Sequence, residues 1–389
     1  MGSIFKNIKG DRLIWAIVAL LAILSFLPIY STAKGANTFS SFVTHFVHLA
    51  LGFSIMYGIH KIPYRYFRGL SLVMIPVVLV LLVITIFQGE VRDGAAASRW
   101  ITVPIVNKSF QPSALASVVL LIYVARYLSK MKEEVITFKS SLLPLWLPMF
   151  LVLGLILPFN FSTAAIIFSM ALVLMYFGGY PLKYLGAISG IGLLGLCLFV
   201  AVAKNTDGAL HVKVNTWENR IKSHFSGEEE TGSQIEKAKI AIASGMVNGV
   251  GPGKSIQKNF LSQSESDFIF AIIVEEYGFI GGFIVMLLYL WLLFRVVIVA
   301  QKADTIFGKL LVLSVGIPIV FQALVNMGVS VGLFPVTGQT LPLISWGGSS
   351  IWMTCLAIGV ILSVSAKREE IKEQEIREDN PLEILSETI

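Results

Sequence analysis

Residues 267–296 read DFIFAIIVEEYGFIGGFIVMLLYLWLLFRV. Between Asp267 and Arg295 only Glu275 and Glu276 carry charge. An apolar run of this length is a helix that crosses a bilayer, for which about 20 residues suffice. Laid out as one helix it would reach about 45 Å, against a hydrocarbon core of about 30 Å. A bend near Gly278 or Gly281-Gly282, or a projection into the outer space, is therefore expected.

Working outward, comparable runs fall at 13–32, 38–59, 69–88, 113–129, 142–158, 161–178, 185–203, 307–329 and 347–366. The fold class is an all-α integral membrane protein of about ten spans: one polytopic domain, 1–366, and a charged tail, 367–389. The fifth and sixth runs are separated only by Leu157-Pro158-Phe159-Asn160. This proline permits either a tight re-entry between two helices across 142–178 or one bent element. The run from Leu13 is read as the first span and not as a cleaved signal. Composition agrees, with 55% hydrophobic and 14% charged residues in a 389-residue chain. A soluble chain carries about 25% charged residues. Cys197 and Cys355 lie in apolar runs and read as spectator thiols. The net charge of +6 does not call for nucleic acid, because cytoplasmic loops of membrane proteins collect Lys and Arg.

That bias orients the chain. With the N-terminus inside, 18 of the 30 basic residues fall in cytoplasmic segments. Eight of the other twelve sit in one long loop, 204–266, and long loops cross largely regardless of charge. The short outer loops keep only Lys34, Arg92, Arg99 and Lys108. Both termini are thus inside, in keeping with an even number of spans. The long loop and a medium one, from Gln88 to Pro112, lie outside, and loops of this length tend to be functional or disordered. The long loop carries Ile235, Ala238, Ile240, Ala241 and Ile242 at helical spacing. Gly245, Gly249, Gly251 and Gly253 follow, a pattern of a partly ordered element lying along the membrane. The tail after Lys367 reads as a turn or two of further helix before fraying.

Three constellations stand on the outer side. Asp267 opens a span at the lipid–water boundary. It is placed to cap that helix and, equally, to serve as a general base, since partial desolvation strengthens a carboxylate in that role. Glu275 and Glu276, about 12–14 Å further along, are either a structural pair or functional groups. The second constellation is Phe334 to Ser350, with Pro335, Pro342 and three glycines. It cannot continue a regular helix, and non-helical backbone survives in lipid only where protein or water satisfies it. It is expected to dip back beside Asp267 and line a cavity, its hydroxyls and amides suiting an anionic or sugar ligand. A purely structural turn is the plainer reading. The third is Ser98-Arg99-Trp100 with Gln111-Pro112-Ser113. Arg99 suits a lipid phosphate, and ordinary aromatic anchoring is the alternative. The P-loop look of Asn248 to Ser255 is dismissed, for it lacks the first glycine and a preceding strand. The five histidines, His45, His48, His60, His211 and His224, show no ligand spacing, so no metal site is assigned. A divalent cation at the carboxylates is left open.

At these residues the chain resembles the SEDS family of bacterial cell-wall polymerases, the FtsW, RodA and SpoVE proteins. The most specific matches are Asp267-Phe268-Ile269-Phe270 with Glu275-Glu276-Tyr277-Gly278, then Phe321 to Gly328, then Thr337-Gly338 with Leu341 to Ser350. Two departures stand out. The family usually has Glu and Lys where this chain has Ala114 and Ser117, and its Pro-Asp element is replaced around Pro158 to Asn160. The resemblance implies a glycosyltransferase that polymerises lipid II on the outer leaflet and releases polyprenyl diphosphate. It implies Asp267 as base, Arg99, Lys254 and Lys258 as diphosphate holders, and Glu276, Thr337 and Ser345 as cavity liners. No cofactor is assigned beyond the divalent cation left open above. The opening Gly10 to Trp15, the missing motif and the charged tail look more like the FtsW branch. That branch implies work at the division septum beside a class B penicillin-binding protein and other divisome membrane proteins. A RodA-like elongation polymerase, a lipid II flippase and a non-catalytic scaffold are the competing readings. A flippase needs a polar path through both leaflets, and polar groups here crowd the outer half.

Overall fold

The computed structural model describes residues 9–33, 38–88, 100–103, 108–131, 137–205, 214–219, 222 and 234–378. The helices are α1 (Arg12–Thr32), α2 (Thr38–His60), α3 (Arg65–Gln88), α4 (Pro112–Lys130), α5 (Phe138–Ile156), α6 (Phe161–Phe177), α7 (Leu182–Lys204), α8 (Gln234–Gly245), α9 (Ile269–Lys302), α10 (Ile306–Ser330) and α11 (Gly348–Glu378). Between α3 and α4, strands β1 (Ile101–Val103) and β2 (Lys108–Phe110) pair antiparallel. Among the described residues nine helices are long and apolar enough to cross a membrane. α6 is apolar too, at 17 residues, the lower limit of a span.

The segment 142–178 is two helices. α5 ends at Ile156, a turn follows, and Asn160 caps α6 by accepting from the Thr163 amide at 3.2 Å. α5 contains a wide π turn, Leu142–Trp146, at Pro144, whose carbonyl accepts from the Tyr123 hydroxyl.

Two apolar cores organise the bundle. One gathers α1, α2, α9, α10 and α11 around residues such as Ile17, Tyr289 and Ile358. The other gathers α3 to α7 around Leu120, Trp146 and Met175. A small third cluster sets Ala238 and Ala241 of α8 on Phe268, Ile272 and Val325, roofing the outer ends of α9 and α10. The inner face is closed by Asp11. Its carboxylate caps α1 through Leu13 and Ile14 and pairs with Arg295 of α9, and its amide donates to Ser365 of α11 at 2.6 Å.

α9 is 34 residues long and breaks at Gly278 (φ 68, ψ −172), where the excess length required a bend. In an unbroken helix the carbonyls of Glu275 and Glu276 would accept from the amides four residues on. Instead they accept from Val250 and Gly251 at 2.9 and 3.0 Å. The amides of Phe279 and Ile280 donate to Met246 and Val247 at 2.9 and 3.4 Å. The loop after α8 is spliced into the helix, and every exchanged group finds a partner. Gly249 and Gly278 permit this approach, because a side chain at either would overlap the opposite backbone. The run that mimics a P-loop is this splice. α11 runs to Glu378, ten residues past its apolar segment, which is longer than the turn or two expected.

Two glycines separate conformation from space. Gly278→Ala places a side chain both in a glycine-only backbone region and against Val247. It is expected to cost about 3 kcal/mol or more. Gly253→Ala meets only a left-handed φ of 75 in open space and should cost about 1 kcal/mol. Thermal unfolding in detergent checks this, and equal melting temperatures would refute the splice.

Candidate active site

The re-entrant segment between α10 and α11 has Gly338 at φ 67 and the buried Leu343 at φ 66, a strained value for a bulky residue. Its backbone groups have found donors that lipid cannot supply. Gln322 and Asn326 stand one turn apart on α10. Gln322 Nε2 donates to the Thr340 carbonyl at 2.9 Å, and Asn326 Nδ2 donates to the carbonyls of Gln339 and Asp267, both at 2.8 Å. The Tyr289 hydroxyl of α9 donates to the Pro342 carbonyl. Ser345 Oγ accepts from the Leu341 amide at 2.7 Å and donates to the Ser266 carbonyl at 2.6 Å. The Trp346 amide reaches the Glu265 carbonyl at 2.8 Å. Three consecutive carbonyls, 265 to 267, are thereby held.

The structure thus brings Ser345 and the re-entrant turn against the Asp267 segment. Asp267 is half-buried in the turn before α9. The cap position belongs to Phe268, so the expected helix cap by Asp267 is corrected: the helix begins one residue too late for it. Thr337 is half-buried in the same turn, two residues before Gln339.

Glu276 and Lys258 belong to a second cluster. Both glutamates are 1% exposed. Glu275 accepts from the Ser255 hydroxyl and from the amides of Ile256 and Gln257 at 3.0 and 3.3 Å. Glu276 Oε1 accepts from Ser31 at the outer end of α1 and from the Ser255 amide at 3.1 Å. Lys258 Nζ donates to the Gly253 carbonyl at 2.8 Å and to Ser31 Oγ at 3.3 Å. The cluster clasps the spliced loop onto α1 and α9. Lys254, by contrast, is exposed. Arg99 lies outside the described residues.

A cavity of about 120 Å³ lies between α4, α6, α10 and α11 and touches the re-entrant turn at Gly338, Gln339 and Thr340. Asp267, Glu276, Thr337 and Ser345 do not border it. Ala114 and Ser117 do, and no charged side chain joins them there. Gln339 Nε2 bonds Thr163 Oγ1 at 2.9 Å across its wall, and Thr340 meets Ser350 at 2.9 Å. Among the described residues no three His, Cys, Asp or Glu side chains gather as a metal site. The donors Gln322, Asn326 and Tyr289 were not singled out individually by the sequence reading. Gln322 and Asn326 left a signal, two amide side chains spaced i, i+4 on a largely apolar span; Tyr289 on α9 left none.

The bundle and its outer site define a polytopic membrane protein built around a re-entrant turn that holds one carboxylate-bearing segment. The chain belongs to the cell cycle protein family of FtsW, RodA and SpoVE, whose model matches residues 11–370. It is 30% identical over 366 residues to a Polynucleobacter necessarius protein named "Probable peptidoglycan glycosyltransferase FtsW", covering 90% of this chain and 84% of that one. It is also 30% identical to stage V sporulation protein E of Bacillus subtilis, covering 92% and 98%. A chain from a study of the structural coordination of polymerization and crosslinking by a peptidoglycan synthase complex superposes with TM-score 0.73. It is 26% identical, with 92% of this chain and 98% of that one covered. Thermus thermophilus RodA has the same fold, with TM-score 0.67, 24% identity and coverage of 92% and 97%.

Asn326→Leu removes the donor shared by Asp267 and Gln339. Each orphaned carbonyl is expected to cost about 1–3 kcal/mol. Hydrogen exchange should rise first in peptides covering 264–268 and 337–341. Exchange that rises uniformly, or nowhere, would contradict the staple.

Proposed function

We propose that this protein is a peptidoglycan glycosyltransferase that polymerises lipid II into glycan strands at the outer face of the bacterial cytoplasmic membrane. Kinship over residues 11–370 with proteins named for that activity carries the reading. The stapled Asp267 segment supports the assignment of residues. In the transfer, an acceptor sugar hydroxyl forms a bond to the donor's anomeric carbon. The bond from that carbon to the diphosphate oxygen breaks, and its electron pair leaves with polyprenyl diphosphate. The hydroxyl proton passes to the Asp267 carboxylate, the base of the reaction. Ser345 and Asn326 act on the backbone beside Asp267 and so fix where that carboxylate stands.

The diphosphate needs compensating charge. Lys254 is the exposed candidate in the described outer loop, and Arg99 is the second. Lys258 and Glu276 serve the substrate indirectly, by clasping the loop that carries Lys254; Thr337 lines the approach to the turn. A divalent cation at the carboxylates would supply further positive charge to the diphosphate. The FtsW-like features, the relatives named FtsW and the match to a cell cycle protein family support septal synthesis. A class B penicillin-binding protein that crosslinks the new strands is the expected partner, in keeping with the synthase complex whose chain shares this fold.

Purified protein with its crosslinking partner and lipid II should make long glycan strands, and Asp267→Asn should make none while melting like the parent. Undiminished polymer from that variant would sink the catalytic assignment. Lys254→Ala should raise KM about ten- to hundredfold, the scale of one hydrogen bond to a charged group, at unchanged stability. Lys258→Ala should instead lower the melting temperature, a split that separates substrate contact from clasp.

A further inference from the structure

His45 is an ionisable residue on a membrane span, and it is completely buried. Such residues are costly in lipid and are kept where they have a task. Its Nε2 lies 2.7 Å from Ser25 Oγ of α1. The single hydroxyl proton of Ser25 is directed to the Ala22 carbonyl at 2.6 Å. Ser25 therefore accepts, and His45 donates from Nε2–H. The other ring nitrogen, Nδ1, is a buried acceptor with no hydrogen-bond partner. A phenylalanine here would fill the space without that penalty, so packing alone does not account for the imidazole.

The hydrogen bond fixes the plane of the ring. One face stacks on Trp346, with centroids 6.0 Å apart and planes 21° apart, and Phe26 meets the ring edge-on at 5.3 Å. Trp346 ends the re-entrant turn, and its amide holds the Glu265 carbonyl at 2.8 Å. The neighbouring Ser345 holds the Ser266 carbonyl. A contiguous path thus runs from Ser25 through the imidazole and the indole to the two residues that precede Asp267.

We propose that His45 is a positioning residue for the Asp267 segment, with its Ser25-oriented ring setting Trp346 and, through it, the backbone at 265 and 266. This rests on Asp267 as the base for its kinetic consequence, but not for its structural one. The imidazole touches no reacting atom. Its effect is on where the base stands.

The test uses the full-length protein in detergent with its crosslinking partner and lipid II. His45→Ala should lower kcat about tenfold, the scale of a sub-ångström misplacement, at unchanged KM. It should also speed amide exchange in peptides covering 261–268 while the inner ends of α9 and α11 keep their protection. His45→Phe, which keeps a ring against Trp346 but cannot donate to Ser25, should recover only part of both. Ser25→Ala, which frees the ring plane, should fall between. Should His45→Ala fold poorly, the Phe and Ser25 variants still decide the matter. Parental exchange at 261–268 in His45→Ala overturns the proposal whatever the enzyme makes. Equal damage from Ala and Phe overturns it too, because the stack would then not be the cause. If Asp267→Asn retains polymerisation, the catalytic reading falls while the exchange result still judges His45.

Discussion

Non-helical backbone near a bilayer must be given hydrogen-bond partners by the protein, and this constraint governs both irregular regions of the molecule. At the break in α9 the partners come from another stretch of backbone. Four helical bonding positions around Gly278 are exchanged with residues 246 to 251. At the re-entrant turn they come from side chains of adjacent spans, the amides of Gln322 and Asn326 and the hydroxyl of Tyr289. Each unsatisfied group would cost several kcal/mol in lipid. The two solutions meet on the short outer piece of α9 that leads to Asp267.

Much of this was legible in the chain. Among the described residues ten apolar helices match the ten apolar runs, eight of them to within a few residues at each end, since bilayer thickness dictates their length; α9 and α11 run further, to Lys302 and Glu378. The basic residues place the irregular segments on one side. Pro158 separated two helices, and the prolines and glycines of 334–350 marked a turn that returns against the Asp267 segment. What could not be read was the pairing. Glycines at 245, 249, 251 and 253 announce close approach but do not name α9 as what approaches. Glu275 and Glu276 looked like deep charges; they proved to be acceptors for a loop amide cluster and for Ser31. Asp267 looked like a cap, and the helix starts beyond it. These are long-range facts, set by which surfaces meet, and local sequence does not contain them.

The departures from the family pattern also gain a place. Ala114 and Ser117 sit on the wall of the neutral cavity beside the re-entrant turn. The wall is held by hydroxyls and amides, as in the bond from Gln339 to Thr163. Neutral hydrogen bonds carry a smaller desolvation burden than a buried ion pair, so the turn is supported here without one. Asn160, in place of the acidic element, still caps α6.

Because its backbone bonding is interrupted at Gly278, α9 is mechanically two rods. The inner rod is moored to the cytoplasmic face by Arg295 and Asp11. The outer rod is moored to the extracytoplasmic loop, to Ser31 and to the re-entrant turn, and the Asp267 segment rides on its tip. The outer rod with its Asp267 tip and the inner rod are thus held by different polar contacts at opposite ends of the helix. One helix therefore has two independent sets of attachments, divided at a single glycine.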